Sequence, residues 1–248
     1  MITEFPLLVF TVLTSIAAGS YVAAAAFPPK EQPKNPWLLP LVCLVLAAVG
    51  SLASIAHVGR PSLVLGVLAN PTSALTLEGI FAGVFCLGIA ISLVLAFTKK
   101  ANRVVDAIVA VLGVVLLLMQ AHAYATSYGV AAWCSAAVWP FVVVTGIAGG
   151  FPLAQALGAA EGGKTPGIAA CVVLVLGALC GAAECVVFNG AGADGVAVIA
   201  CGAVVMLAGA VVAYLGKDGK KTMVLAAAIL AIAGLAIMRY GFYMASIL

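Results

Sequence analysis

Eight apolar stretches, each long enough to cross the hydrocarbon layer of a bilayer, follow one another along this chain with only short connections between them. Lipid offers no hydrogen bonds, so a spanning segment must satisfy its backbone N–H and C=O groups within a helix or a closed barrel. Uninterrupted apolar runs of some twenty residues, without strand-like alternation, select the helix. The pattern predicts spans at 3–27, 37–57, 76–98, 102–126, 134–159, 166–189, 194–215 and 221–246. With 65% hydrophobic and 8% charged residues, the expected fold class is an all-α integral membrane protein, a bundle of eight transmembrane helices. The connections leave no room for a soluble unit, so residues 1–248 are expected to form a single polytopic membrane domain embedded in the lipid bilayer. Alanine is the commonest residue and 27 residues are glycine, and such small side chains favour close helix approach.

The first span is apolar and is followed by Ala23 to Ala26, but Glu4 stands where a secretory signal would carry basic residues. A retained helix is therefore expected. Lys30, Lys34, Lys99, Lys100, Arg103, Lys164, Lys217, Lys220 and Lys221 all fall in the odd-numbered connections, leaving Arg60 and Arg239 near the other face. The positive-inside rule then puts both termini on the non-cytoplasmic side. The net charge of +3 reports topology, not binding of nucleic acid.

Cys43, Cys86, Cys134, Cys171, Cys180, Cys185 and Cys201 are scattered through apolar stretches with no CxxC pair. They read as small buried hydrophobes rather than cluster ligands. No Walker loop, dinucleotide fingerprint, zinc helix or nucleophile elbow occurs.

Polar residues collect at the terminal end of the expected bundle: His57, Arg60, Glu78, His122, Glu184 and Arg239. Ser51, Ser54 and His57 share one face of the second helix, which ends in His57-Val58-Gly59-Arg60-Pro61. Gly59 permits a turn and Pro61 biases Arg60 away from helix. Asn70-Pro71-Thr72-Ser73-Ala74 leads into the third helix, whose first turn is expected to present Glu78 at the depth of His57. Each residue also has a structural reading: Glu78 as a carboxylate at the positive end of a helix dipole, His57 as an interfacial imidazole capping carbonyls. Together with Arg60 they form a candidate proton-handling cluster. Gln120, Tyr124 and Ser127 share a face of the fourth helix, with His122 pointing elsewhere. Arg239 and Tyr243 lie one turn apart on the last helix. Glu184 is a candidate partner for Arg239 in an ion pair locking two helices; alternatively Arg239 snorkels to the outer surface. Trp139-Pro140 and Gly149-Gly150-Phe151-Pro152 in the fifth helix mark a kink that either opens a wedge for a ligand or packs against neighbours.

A ligand that lives in the bilayer and exchanges protons and electrons fits these groups, and a quinol is such a ligand. Its oxidation needs hydrogen bonds to the ring oxygens and a base near neutrality, which imidazole supplies while a carboxylate relays the proton. Phe5, Phe10, Phe81, Phe85 and Phe242 are candidates for holding ring and tail.

The segments Glu4-Phe5-Pro6-Leu7-Leu8-Val9-Phe10-Thr11, His57-Val58-Gly59-Arg60-Pro61, Ser73-Ala74-Leu75-Thr76-Leu77-Glu78 and Arg239-Tyr240-Gly241-Phe242-Tyr243 resemble the membrane anchor subunit of the anaerobic dimethyl sulfoxide reductase family. The similarity runs in order along the whole chain. It implies a haem-free subunit of the cytoplasmic (inner) membrane that oxidises menaquinol, holds no iron–sulfur cluster or molybdenum itself, and anchors two partners. Those partners are an iron–sulfur electron-transfer subunit and a molybdopterin catalytic subunit. It also associates His57 and Glu78 with quinol oxidation, while Arg60, Arg239 and Tyr243 join the expected pocket by position. With no cluster ligands in the chain, the quinol must sit close to an external cluster, so the iron–sulfur subunit is expected to dock at the end bearing His57, Glu78 and the termini. Connections between the later helices are shorter than in longer family members.

Two other readings use the same residues. A b-haem subunit would take His57 and His122, the two histidines of the chain, as axial ligands. A transporter would use the glycines, the fifth-helix kink and intramembrane charges, but the polar residues cluster at one depth and no polar path to the lysine-rich side is evident in the sequence.

Overall fold

The computed structural model describes residues 4–57, 66 and 69–247, with the side chains of His57 and Ile247 outside that description. Among the described residues all regular structure is helical. Eight helices run in order: α1 (Phe5–Ala26), α2 (Leu38–His57), α3 (Ala74–Phe97), α4 (Arg103–Ala125), α5 (Val138–Ala156), α6 (Lys164–Gly190), α7 (Val196–Leu215) and α8 (Lys221–Met244), the last followed by a 3-10 turn, Ala245–Ile247. Each is long and apolar enough to cross a membrane, as their sequences predict.

Local chemistry fixes the boundaries. Pro6 lies in the first turn of α1, where its missing N–H costs nothing. Ser73 caps α3, its hydroxyl accepting from the Thr76 N–H at 3.1 Å, and Asn102 caps α4 by accepting from the Val104 N–H at 2.8 Å. The fifth helix begins at Val138 instead of the expected 134, because Trp133 is held in the preceding turns: its indole Nε1 donates to the Phe242 carbonyl at 3.0 Å.

The helices form two rings of four with the same connectivity. Helices α1 to α4 close one ring, α2 packing between α1 and α3, and α4 between α3 and α1; α5 to α8 close the other in the same order. The rings meet where α1 and α4 contact α5 and where α1 contacts α8. Glycine makes the α1–α5 seam possible. A Cβ on Gly19 would strike the Ile147 carbonyl, and one on Gly150 would strike the Ile16 carbonyl, so the two backbones touch. The Gly149-Gly150-Phe151-Pro152 segment is accordingly filled by packing and offers no wedge for a ligand: Gly149, Gly150, Phe151 and Pro152 are all buried.

The connections sort by end. At the lysine-rich end, Lys30 pairs with Glu161 at 3.6 Å, the Glu161 N–H donates to the Phe27 carbonyl at 2.7 Å, and Arg103 donates to the Pro29 carbonyl. At the other end the start of α1 and the end of α8 lie beside the α4–α5 and α6–α7 connections: Tyr243 donates to the Leu7 carbonyl at 3.4 Å, Trp133 of the α4–α5 connection donates to the Phe242 carbonyl, and Gly195 sits against Gly241.

Candidate functional site

Glu78 is the pivotal residue of the terminal end. Because Ser73 starts α3 at Ala74, two residues earlier than the sequence pattern predicts, Glu78 is the fifth residue of the helix and lies beyond its first turn. The first-turn placement expected from sequence is therefore corrected. A dipole effect falls off within that turn, so a helix-end charge does not account for the residue. Glu78 is instead turned inward, 5% exposed, and its Oε1 has no hydrogen-bond partner. A buried carboxylate lacking a full set of donors is costly.

Behind it lies a hydroxyl pair. Tyr124 of α4 and Tyr243 of α8 are hydrogen-bonded through their phenol oxygens, and both lie within electrostatic reach of Glu78. Tyr243 is also 3.2 Å from the Thr11 hydroxyl. One turn deeper, Gln120 donates to Thr14 at 2.9 Å, and Arg239 donates through Nη2 to the Val142 carbonyl at 2.8 Å. The two rings thus repeat a motif: a tyrosine at the penultimate position of its fourth helix, and four residues earlier a long polar side chain donating to the first helix of the same ring. The paired hydroxyls bridge the seam between rings.

An aromatic wall encloses this layer. Trp133 stacks on Phe242 with centroids 5.2 Å apart, Phe242 stacks on Phe141 at 5.4 Å, and Tyr124 meets Trp133 and Phe242 edge-on. Of the phenylalanines proposed from sequence to hold a ligand, Phe10, Phe85 and Phe242 are core residues, whereas Phe5 is 55% exposed and Phe81 is half-buried.

The other expected residues divide. His57 ends α2, whose Ser51 hydroxyl lies 3.9 Å from the Cys86 sulfur on α3. This places Ser51 of α2 toward α3. The His57 side chain and the whole of Arg60 fall outside the described residues. Arg239 is 1% exposed, so it does not snorkel. Glu184 is fully buried, yet the expected direct ion pair is absent: neither Glu184 oxygen has a hydrogen-bond partner, and Nε and Nη1 of Arg239 have none. The two nonetheless sense each other electrostatically. Arg239 also sits 5.1 Å from the Phe141 ring centre, a cation–π contact. Gln120 and Tyr124 are buried on one face of α4, while half-buried His122 lies 6.0 Å from the Trp139 ring.

The profile of the family described as DMSO reductase anchor subunit (DmsC) matches residues 1–246. The chain belongs to that family. It is thus the membrane anchor subunit of a DMSO reductase-type complex, made to work with catalytic and electron-transfer subunits at a membrane. No individual curated protein matches it. In the anchor subunit the polar layer just described is the concentration of buried ionisable groups at the terminal end. Trp133 and the Tyr124–Tyr243 pairing are its members that sequence reasoning did not find. The four-residue spacing shared by Gln120-Tyr124 and Arg239-Tyr243 was the available signal. No group of three or more metal-ligating side chains is present among the described residues.

Proposed function

We propose that the anchor subunit binds menaquinol at its terminal end, oxidises it, and passes the electrons to an iron–sulfur subunit docked over that end on the outer face of the cytoplasmic membrane. The observation that carries this reading is Glu78: a carboxylate buried just beyond the first turn of a lipid-facing helix, with one oxygen unpartnered. Such a group is poised to accept a proton from a hydroxyl that reaches it from the bilayer. Gly79 and Gly83 lie on the exposed side of α3 with open space beside them among the described residues. Leu75 and Ile80 are exposed nearby. An apolar tail could lie along that strip while the ring turns inward.

His57, at the end of the neighbouring helix, is the proposed hydrogen-bond partner and base for the other ring oxygen, with Arg60 in the following turn. Arg239 and Tyr243 are buried, and in this reading they set the field behind the pocket instead of touching the ring. The positive-inside rule orients the lysine-rich end toward the cytoplasm, so protons leave on the outer side.

The test uses the assembled complex. His57→Ala should abolish quinol-driven turnover and leave activity with a soluble artificial electron donor intact. Equal loss of both would indicate failed assembly, and unchanged quinol turnover would remove His57 from the site. A complex in which the iron–sulfur subunit met only the lysine-rich end would overturn the proposed electron route.

A further inference from the structure

The connection between α1 and α2 is the most proline-rich stretch of the chain, Pro28-Pro29-Lys30-Glu31-Gln32-Pro33-Lys34-Asn35-Pro36. Proline fixes φ and stiffens such a segment, and Arg103 at the start of α4 ties it down by donating to the Pro29 and Lys30 carbonyls. Two adjoining cavities open along it at the lysine-rich end of the first ring, with Gln32, Pro33, Pro36 and Ala96 in the walls of both. One is a groove of about 470 Å3 bordered by Lys34, Lys99, Trp37 and Phe97. The other is a recess of about 110 Å3 with Glu31, Asp106, Ser92 and Arg103 in its wall, room for several water-sized groups.

The two cavities have opposite character. In the groove, Lys34 and Lys99 are exposed and neither is in an ion pair among the described residues. Trp37 stacks on Phe97 with centroids 5.9 Å apart, where α2 begins and α3 ends, and aromatic rings at that level of a span sit among lipid headgroups. Lys99 stands there at a conformational cost. Its N–H donates to the Ala96 carbonyl at 3.2 Å and the Lys100 N–H to the Leu95 carbonyl at 2.8 Å, the helix-ending turn in which glycine is usual. With a φ of 59°, Lys99 is the one non-glycine residue in the left-handed region among the described residues, so an ammonium at this place calls for a reason beyond turning the chain. In the recess, the Asp106 carboxylate is fixed by Ser92, which is 4% exposed and donates to Oδ1 at 2.6 Å. Neither Asp106 nor Glu31 is in an ion pair among the described residues, and the Nη2 of Arg103 is engaged by the loop carbonyls.

An occupant that satisfies both cavities carries a negative group and, beside it, a positive group that donates hydrogen bonds. It also carries apolar tails, because Leu87, Ile91, Val94 and Phe97 form an exposed strip of α3 that runs from the groove into the membrane. We propose that the paired site binds one phosphatidylethanolamine molecule of the leaflet at the lysine-rich end. Its phosphate lies between Lys34 and Lys99, its ammonium donates to Asp106 and Glu31, and its acyl chains follow α3. A primary ammonium offers three donors. The quaternary ammonium of phosphatidylcholine offers none, and phosphatidylglycerol has no positive charge to set against two carboxylates. The site lies at the end of the bundle opposite Glu78 and is independent of the menaquinol reading.

The experiment measures lipid binding to the assembled complex, delipidated in detergent and titrated with phosphatidylethanolamine, phosphatidylcholine or phosphatidylglycerol of matched acyl chains, by native mass spectrometry. Phosphatidylethanolamine should bind at least about fivefold more tightly than either other lipid, the scale of a partly exposed charge contact. Asp106→Asn, which keeps an acceptor for Ser92, should bring phosphatidylethanolamine to within about twofold of phosphatidylcholine and leave phosphatidylglycerol binding unchanged. Glu31→Gln, on the exposed loop, should act in the same direction and serves if the Asp106 variant does not assemble. Lys34→Gln and Lys99→Gly should each weaken binding of all three lipids, the second without loss of thermal stability in the lipid-free complex, since glycine suits that φ. Equal affinity for the three lipids would mean annular lipid only, and a preference for phosphatidylglycerol would mean a basic patch only; either overturns the proposal. So would unchanged binding in both lysine variants, or displacement of the lipid by equimolar soluble phosphoethanolamine, which has the headgroup without the tails.

Discussion

Glu78 acquires its character from where α3 begins. Ser73 takes the capping role, the helix starts early, and the carboxylate rotates past the first turn into the interior. Glu78→Gln keeps the shape and removes the charge, so the complex should assemble normally while quinol-driven kcat falls roughly a hundredfold or more; unchanged kinetics across pH would make the residue structural. Arg239 behaves differently. Arg239→Met removes the positive member of a buried pair and leaves Glu184 uncompensated, which should destabilise the subunit by about 3–5 kcal/mol. A double replacement with apolar residues of similar volume should recover much of that loss, as thermal unfolding of the detergent-solubilised complex would report. Residue identities were readable in the sequence, because an ionisable group within an apolar run is conspicuous. Their pairing was not: Tyr124 and Tyr243 are 119 positions apart, and the open Glu184–Arg239 geometry depends on side-chain placement that no spacing rule encodes.

The spans were legible to within a few residues, since hydrophobic length sets them directly. The misses have local causes. The start of α5 was overextended because Cys134-Ser135-Ala136-Ala137 is apolar enough to extend a helix, yet it stays in the turns that follow Trp133, whose indole is committed to the Phe242 carbonyl. Its end was overextended past Ala156 because the following Leu157-Gly158-Ala159 is apolar too, although Gly158 turns the chain at a φ of 72°. Trp133→Phe should cost about 1 kcal/mol by removing that hydrogen bond while leaving the stack on Phe242, measurable as a small fall in Tm. At the α1–α5 seam the requirement is stricter. Gly150→Leu has no room against the Ile16 carbonyl, so it should prevent accumulation of the subunit in membranes, whereas Gly79→Ala, open on the lipid side among the described residues, should accumulate normally.

On the scale of the whole molecule, two four-helix rings share a seam, and the buried polar layer crosses it. Hydrophobic length revealed eight spans but not two rings, because ring closure is a matter of which helices touch. The repeat became visible only once Gln120-Tyr124 and Arg239-Tyr243 were seen in matching places on α4 and α8. The lysine-rich connections gather at the end opposite the start of α1 and the end of α8, so the expected orientation can be tested directly: a cysteine-reactive, membrane-impermeant reagent applied from the outer side should label a cysteine introduced at Asn189 and not one at Lys220. The measurement that bears most directly on menaquinol oxidation is rapid-mixing reduction of the iron–sulfur clusters by menaquinol in the assembled complex. Cluster reduction should be fast with the wild-type anchor and strongly slowed with Glu78→Gln. Equal rates in the two complexes would contradict it.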